Sequence, residues 1–187
     1  MYVILLGPPG AGKGTQGQIL AERTGLPRVA TGDVIRAAMR DGTPLGKKAK
    51  EYYDQGLLVP DDVILGLIEQ VLAVPKAANG VIMDGFPRTV AQAEAVDRLL
   101  RKRNAAVDHV LEFQVPRDEL VRRLSSRAAA EGRVDDAPEA IAKRLEVYRK
   151  QTEPLIAFYR GRGILTVIQG TGDREMIAER VREGVGA

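Results

Sequence analysis

The 187-residue chain has no cysteine, no tryptophan and one histidine, His109. Without cysteine there is neither a disulfide nor a thiolate metal site. One imidazole cannot assemble a metal cluster, and His109 reads as a strand or surface residue. The lack of cysteine fits a reducing compartment, so a cytoplasmic protein is expected. Aromatic residues make up 4% of the chain, and no basic-aromatic run appears. Nucleic-acid binding is therefore rejected as the main function. No apolar stretch approaches the roughly 18 residues of a transmembrane helix, and no membrane partner is expected. Met1 to Gly7 runs into a glycine turn, without the charged region and cleavage site of a signal peptide.

What is present is ordinary for a globular domain: 44% apolar and 28% charged residues. The length fits one domain with a real core. Basic residues outnumber acidic ones 28 to 25, a net charge of +3, and 20 of the 28 are arginine. Arginine presents a planar fork that grips phosphate through two bonds and keeps its charge when partly buried. Its excess reads either as phosphate-directed chemistry or as compositional bias, and placement must decide.

Val3 to Leu6 is a short apolar run stopping at Gly7, a buried strand feeding a glycine loop. Helical spacing follows from about Gly12 to Arg23, ending at Gly25. Further strands are predicted at Arg28–Ala30, Val81–Met83, Val110–Val115 and Ile164–Ile168. Helices lie between them. Asp33 is a candidate cap for one reaching Arg40, and Thr43-Pro44 reads as a cap followed by proline in the first turn. Asp61 or Asp62 can cap Val63–Leu72, and Thr89 a helix to about Arg103. Pro116 opens Arg117–Ala129, Asp136 with Pro138 opens a helix to about Arg160, and Asp173 starts the last one. Alternating strands and helices indicate an α/β fold with a parallel sheet of about five strands. Two excursions stand out, one helical from about Thr31 to Val59 and one short and polar at Ala128–Ala137.

Gly7-Pro8-Pro9-Gly10-Ala11-Gly12-Lys13-Gly14-Thr15 joins the first strand to the first helix, the context of a phosphate-binding loop. Glycines let successive backbone N–H groups face one anion, and the helix adds the positive end of its dipole. Lys13 supplies a mobile charge for the β and γ phosphates. The hydroxyl that general P-loops carry directly after the lysine comes one residue later, at Thr15, with Gly14 between.

Further segments follow in order: Thr31-Gly32-Asp33 with Arg36, Gly56-Leu57-Leu58-Val59-Pro60-Asp61, Asp84-Gly85-Phe86-Pro87-Arg88 with Gln92, and Gly132-Arg133-Val134-Asp135-Asp136 with Arg144. With the loop, they make the chain similar to adenylate kinases from Val3 to its end. The resemblance implies a P-loop NTPase-like three-layer fold with a five-stranded parallel sheet. It also implies a helical monophosphate-binding insert at 30–59 and a short lid at 128–137, in a form without a zinc site. The reaction implied is ATP + AMP ⇌ 2 ADP with Mg2+, by a protein that is usually a monomer.

Residue by residue, the resemblance implies that Gly10, Ala11, Gly12, Lys13, Gly14, Thr15, Arg123, Arg127 and Gly172 contact ATP. Thr31, Arg36, Leu57, Leu58, Val59, Gly85, Phe86, Pro87, Arg88, Gln92, Arg133 and Arg144 would contact AMP. Lys13, Arg88, Arg127, Arg133 and Arg144 would be catalytic. Asp84, with Thr15 nearby, would anchor magnesium through its water shell. Such a site suits in-line phosphoryl transfer, which needs two polyanions held close, their charge neutralised and water kept out.

Each residue also has a plainer reading. Arg123 and Arg127 lie four apart and share a helix face that solvent alone could cover. Arg133 and Arg144 could form local ion pairs, Asp33 could be only a cap, and Asp84 could stabilise a turn. Gln92 is the discriminating residue for the acceptor, because an amide offers both a donor and an acceptor to an adenine edge. Its plainer reading is an exposed helix residue. A UMP or CMP kinase is the nearest alternative, and a nucleotide-binding module without turnover a more distant one.

Overall fold

A computed structural model of the chain describes residues 1–55, 57–131 and 137–186. The first strand, β1 (Tyr2–Leu6), is buried along its whole length. Its alternate residues enter two different cores: Tyr2, Ile4 and Leu6 one, Val3 and Leu5 the other. A strand with two apolar faces has to be covered on both sides, which sets a three-layer architecture.

The other strands are β2 (Arg28–Ala30), β3 (Val81–Asp84), β4 (His109–Gln114) and β5 (Leu165–Gln169). The sheet has the order β2-β3-β1-β4-β5, and every pairing is parallel. Leu5 and Ala30 both stand opposite Asp84 in the register, so Asp84 ends its strand between the glycine loop and the start of the next helix.

The helices are α1 (Lys13–Thr24), α2 (Thr31–Arg40), α3 (Pro44–Tyr53), α4 (Asp61–Ala73) and α5 (Val90–Arg101). After them come α6 (Arg117–Glu131), α7 (Pro138–Val147), α8 (Pro154–Arg160) and α9 (Arg174–Gly184). Residues of α4, α5 and α8, among them Ile68, Val96 and Leu155, fill one core, and Leu20, Leu120 and Ile177 of α1, α6 and α9 fill the other. Among the described residues no helix is long and apolar enough to cross a membrane.

Caps at Thr43, Thr89 and Asp173 stand as the sequence predicts, each side chain accepting from a backbone N–H three residues on. Asp33 does not cap. Helix α2 begins at Thr31 directly after β2, which puts Asp33 inside the first turn, where it pairs with Arg36. Asp61 and Asp62 likewise lie within the first turn of α4, whose earliest amide bonds go to the Pro60 carbonyl.

The helix predicted to run unbroken to Arg160 is interrupted. Tyr148–Thr152 is π-helical, with the Glu153 N–H donating to the Tyr148 carbonyl at 2.9 Å, and α8 restarts at Pro154. Pro154 has no N–H to continue the α-helical ladder, and the wider turn absorbs the break. The predicted opening residue Asp136 lies outside the described residues, and Ala137 precedes α7.

Candidate active site

In a parallel sheet the loops at the carboxyl ends of the strands converge, and ligand sites form there. Gly12 precedes α1 with φ of 93°, a left-handed conformation that glycine adopts without strain. The first turn of α1 carries no acidic residue, so its positive end stays unopposed. The Lys13 ammonium turns back over the loop and donates to the Gly7 carbonyl at 2.7 Å and the Pro8 carbonyl at 2.9 Å. Burial lowers its pKa from 10.5 to about 8; Asp84 opposes that shift, while Arg88, Arg144 and Arg127 add to it. Residues far apart in sequence thus share one electrostatic neighbourhood.

That neighbourhood opens into a cleft of about 620 Å³. The loop from Gly10 to Thr15, with Arg123 and Arg127 of α6, lines part of it. Arg28, Thr31, Arg36, Leu57, Leu58, Val59, Asp84, the turn Gly85-Phe86-Pro87-Arg88, Gln92 and Arg144 also line it. Six arginines, Arg28 among them, border one cavity, the arrangement that polyanionic ligands require.

Several of these side chains are already held. Arg36 binds Asp33 and the Tyr53 hydroxyl. Arg88 Nε donates to the Gly85 carbonyl at 2.7 Å, in the turn that contains a cis Phe86-Pro87 bond. Arg123 reaches Glu119 at 2.7 Å and the Gly170 carbonyl at 3.0 Å. Thr31 is buried, and its hydroxyl donates to the Gly85 carbonyl at 3.0 Å, tying the start of α2 to the turn after β3. Gln92 is 2% exposed, not the surface residue of its plainer reading.

Asp84 is engaged by Arg28, whose Nη2 donates to Oδ2 at 2.6 Å and Nε to the same oxygen at 3.2 Å. The arginine passes along the glycine face of α1: a Cβ on Gly14 would stand 3.2 Å from Nη2, and one on Gly17 3.1 Å from Cδ. Among the described residues no group of three acidic or histidine side chains could cage a metal. One carboxylate and the Thr15 hydroxyl instead suit a magnesium ion ligated mainly by phosphates and water.

The family model described as "Adenylate kinase" matches residues 5–164. The adenylate kinase of Leptospira biflexa is 47% identical over 183 residues, covering 98% of each chain. That of Stenotrophomonas maltophilia is 46% identical over the full length of both. That of Thermus thermophilus is 48% identical over 184 residues, 98% of this chain and 96% of its own.

The chain belongs to the adenylate kinase family.

Measured against that family's motif residues, the cleft brings together the loop residues, Thr31, Arg36, Leu57 to Val59, Gly85 to Arg88, Gln92, Arg123, Arg127 and Arg144. Arg123 and Arg127 do share a face of α6, and that face borders the cleft. Gly172 lies in the loop between β5 and α9 and is not among the residues lining the cavity. Arg133, with Gly132 and the rest of 132–136, lies outside the described residues, as does Gly56.

Sequence reading missed two residues. Arg28 was visible only as the charged first residue of a short strand, and its partner lies 56 positions away. Asp61 has the sequence position of a helix cap, as Asp62 does, but its carboxylate accepts from Gln92 Nε2 at 2.6 Å.

Proposed function

We infer that the chain catalyses reversible phosphoryl transfer from ATP to AMP, giving two ADP. One observation carries this reading: a glycine loop with a half-buried lysine and six arginines from five separate segments face a single cleft. Family membership supports it, since the relatives it matches along nearly their whole length carry the name adenylate kinase. The same relatives leave the UMP and CMP kinase reading behind.

The loop amides of Gly10 to Gly14 and the start of α1 hold the donor's phosphates, and Lys13 leaves its carbonyl partners to meet the β and γ oxygens. Arg123 flanks the donor's adenine and Arg127 borders the donor half, with Gly172 a further contact to ATP. Arg36 and Arg88 hold the acceptor phosphate, and Leu57, Leu58, Val59, Phe86 and Pro87 wall in its base. Thr31 and Gln92 read the base edge. Arg88, Arg127, Arg133 and Arg144 spread the charge of the transferring group in the transition state, where guanidinium groups are worth most. Asp84 and Thr15 would hold magnesium through its water shell. Bound there, the ion would neutralise negative charge on the phosphates.

Residues 30–59 form the monophosphate-binding insert and 128–137 the lid, which expels water on closing. The protein acts as a cytoplasmic monomer with ATP, AMP and ADP as its partners.

The test is a steady-state assay with ATP and Mg2+ against AMP, UMP, CMP, GMP and dAMP, following ADP formation. Strong turnover with AMP and disproportionation of ADP in reverse are expected. Preference for a pyrimidine monophosphate would overturn the assignment of the acceptor. ATP binding without transfer to any acceptor would overturn the catalytic reading.

A further inference from the structure

We infer that Asp61 is a positioning residue that locks the Gln92 amide in one orientation and so sets which purine edge the acceptor site takes. The inference rests on the proposed role of Gln92 in reading the base, and goes beyond it by assigning the source of the selectivity.

A glutamine amide carries an acceptor at one end and a donor at the other, and rotating it by half a turn exchanges them. Left alone, Gln92 could present either pattern to a base. Its two neighbours forbid that freedom. The Arg88 backbone N–H, which can only donate, lies 2.7 Å from Oε1. The Asp61 carboxylate accepts from Nε2 at 2.6 Å. Turned end for end, the amide would set donor against donor at Arg88 and acceptor against acceptor at Asp61. Asp61 is exposed and water can solvate its carboxylate. Gln92, however, is 2% exposed, so the flipped amide would still set its own donor against the Arg88 N–H at a cost.

The locked amide keeps one lone pair on Oε1 and one proton on Nε2 for a ligand. Adenine supplies the complement, an amino donor at N6 beside an acceptor at N1. Hypoxanthine supplies the reverse, an acceptor at O6 beside an N1–H donor. Each partner comes from a different element. Arg88 belongs to the turn after β3, and Asp61 opens α4, where the positive helix end favours a carboxylate. The selectivity of the site is thus coupled to how α4 is seated against the start of α5.

Gln92 also stands three residues after the Thr89 cap, and its backbone N–H donates to the Thr89 hydroxyl. Thr89 and Gln92 thereby form a variant of a capping box. A purely structural role of that kind would change stability and act on all acceptors alike. Base discrimination separates the two readings.

The experiment measures kcat/KM for AMP and for IMP in the wild type, Asp61→Ala, Asp61→Asn and Gln92→Leu. Asp61→Ala is expected to lower the AMP-to-IMP ratio about tenfold. Asp61→Asn keeps an oxygen that accepts from Nε2, and should hold the ratio within about twofold of the wild type. If Asp61→Ala leaves the ratio unchanged while Gln92→Leu lowers it, the lock is wrong and the base reading survives. If Gln92→Leu also leaves it unchanged, the base reading fails and the lock with it.

A second measurement is independent of turnover and needs only the wild-type fold. Hydrogen exchange of the Gln92 Nε2 proton that faces Asp61, followed by NMR on protein with 15N-labelled glutamine, should be strongly retarded without nucleotide. Exchange at the rate of a free amide would overturn the inference.

Discussion

Arg28 and Asp84 meet at 2.6 Å with side chains only 19% and 11% exposed, so each neutralises a largely buried charge of the other. Replacing Arg28 by Met keeps bulk and strands the carboxylate. The variant should lose about 2 kcal/mol of stability, which in a chain of this size lowers Tm by about 4–8 °C. Because the proposed magnesium site uses the same carboxylate, added Mg2+ should raise the Tm of Arg28→Met more than that of the wild type. Thermal melts with and without Mg2+ in the absence of nucleotide measure both effects. Equal responses to the ion would remove Asp84 from the metal site.

Lys13 gives a pH-dependent prediction. Its pKa falls from 10.5 to about 8 in the folded chain, chiefly through burial. At pH 9 the folded, nucleotide-free protein therefore binds fewer protons at this site than the unfolded chain does. The contribution of Lys13 to stability rises with pH between about 8 and 10.5, and is unfavourable and constant below that window. A phosphate brought against the ammonium restores the charged form. Binding of ADP at pH 9 should thus take up most of a proton, and binding at pH 7 almost none from this residue. Calorimetry in two buffers of different ionisation heat counts the protons. No uptake at pH 9 would mean that Lys13 does not meet the phosphates.

Much of the site is legible in the sequence because its parts are local. The loop from Gly7 to Thr15, the turn from Asp84 to Arg88 and the capped starts of α3, α5 and α9 are each written within a few residues. Local chemistry also failed in identifiable places. Asp33 has the composition of a cap, but α2 begins against the end of β2 and draws it into the first turn, where Arg36 engages it. Pro154 falls within an otherwise helical pattern, and only the i to i+5 bond at Tyr148 reveals how the chain passes it. Arg28 with Asp84 and Asp61 with Gln92 join residues 56 and 31 positions apart. Spacing along the chain carries no signal for such pairs, because the sheet order creates them.

Arg144 separates binding from catalysis. It borders the cleft and adds to the positive field at Lys13. Arg144→Lys keeps the charge but loses the planar fork that could grip two phosphate oxygens at once. If the residue acts mainly on the transferring group, kcat should fall about 100-fold, while KM for ATP and AMP changes only a few-fold. A large rise in the KM for AMP at unchanged kcat would instead make Arg144 a simple anchor of the acceptor phosphate.

Two helical glycines should respond to alanine with opposite signs. Gly66 lies within α4, and among the described residues a Cβ there meets nothing within 4 Å. Alanine at this position gains helix propensity and restricts the unfolded chain, worth about 0.5–1 kcal/mol of added stability. Gly17 lies within α1 and has the same propensity to gain, yet its Cβ would stand 2.7 Å from Leu5 Cδ1 and 3.1 Å from Arg28 Cδ. Leu5 is only 2% exposed, and Arg28 is committed to Asp84, so neither can yield without breaking another contact. Overpacking of this kind costs about 1–3 kcal/mol, which outweighs the propensity. Gly66→Ala should therefore melt above the wild type and Gly17→Ala below it. Gly17→Ala should also lose part of the extra stability that the Arg28–Asp84 pair confers, so that adding Arg28→Met to it costs less than Arg28→Met alone. Full additivity of the two substitutions would show that the glycine face of α1 is not what makes room for the arginine.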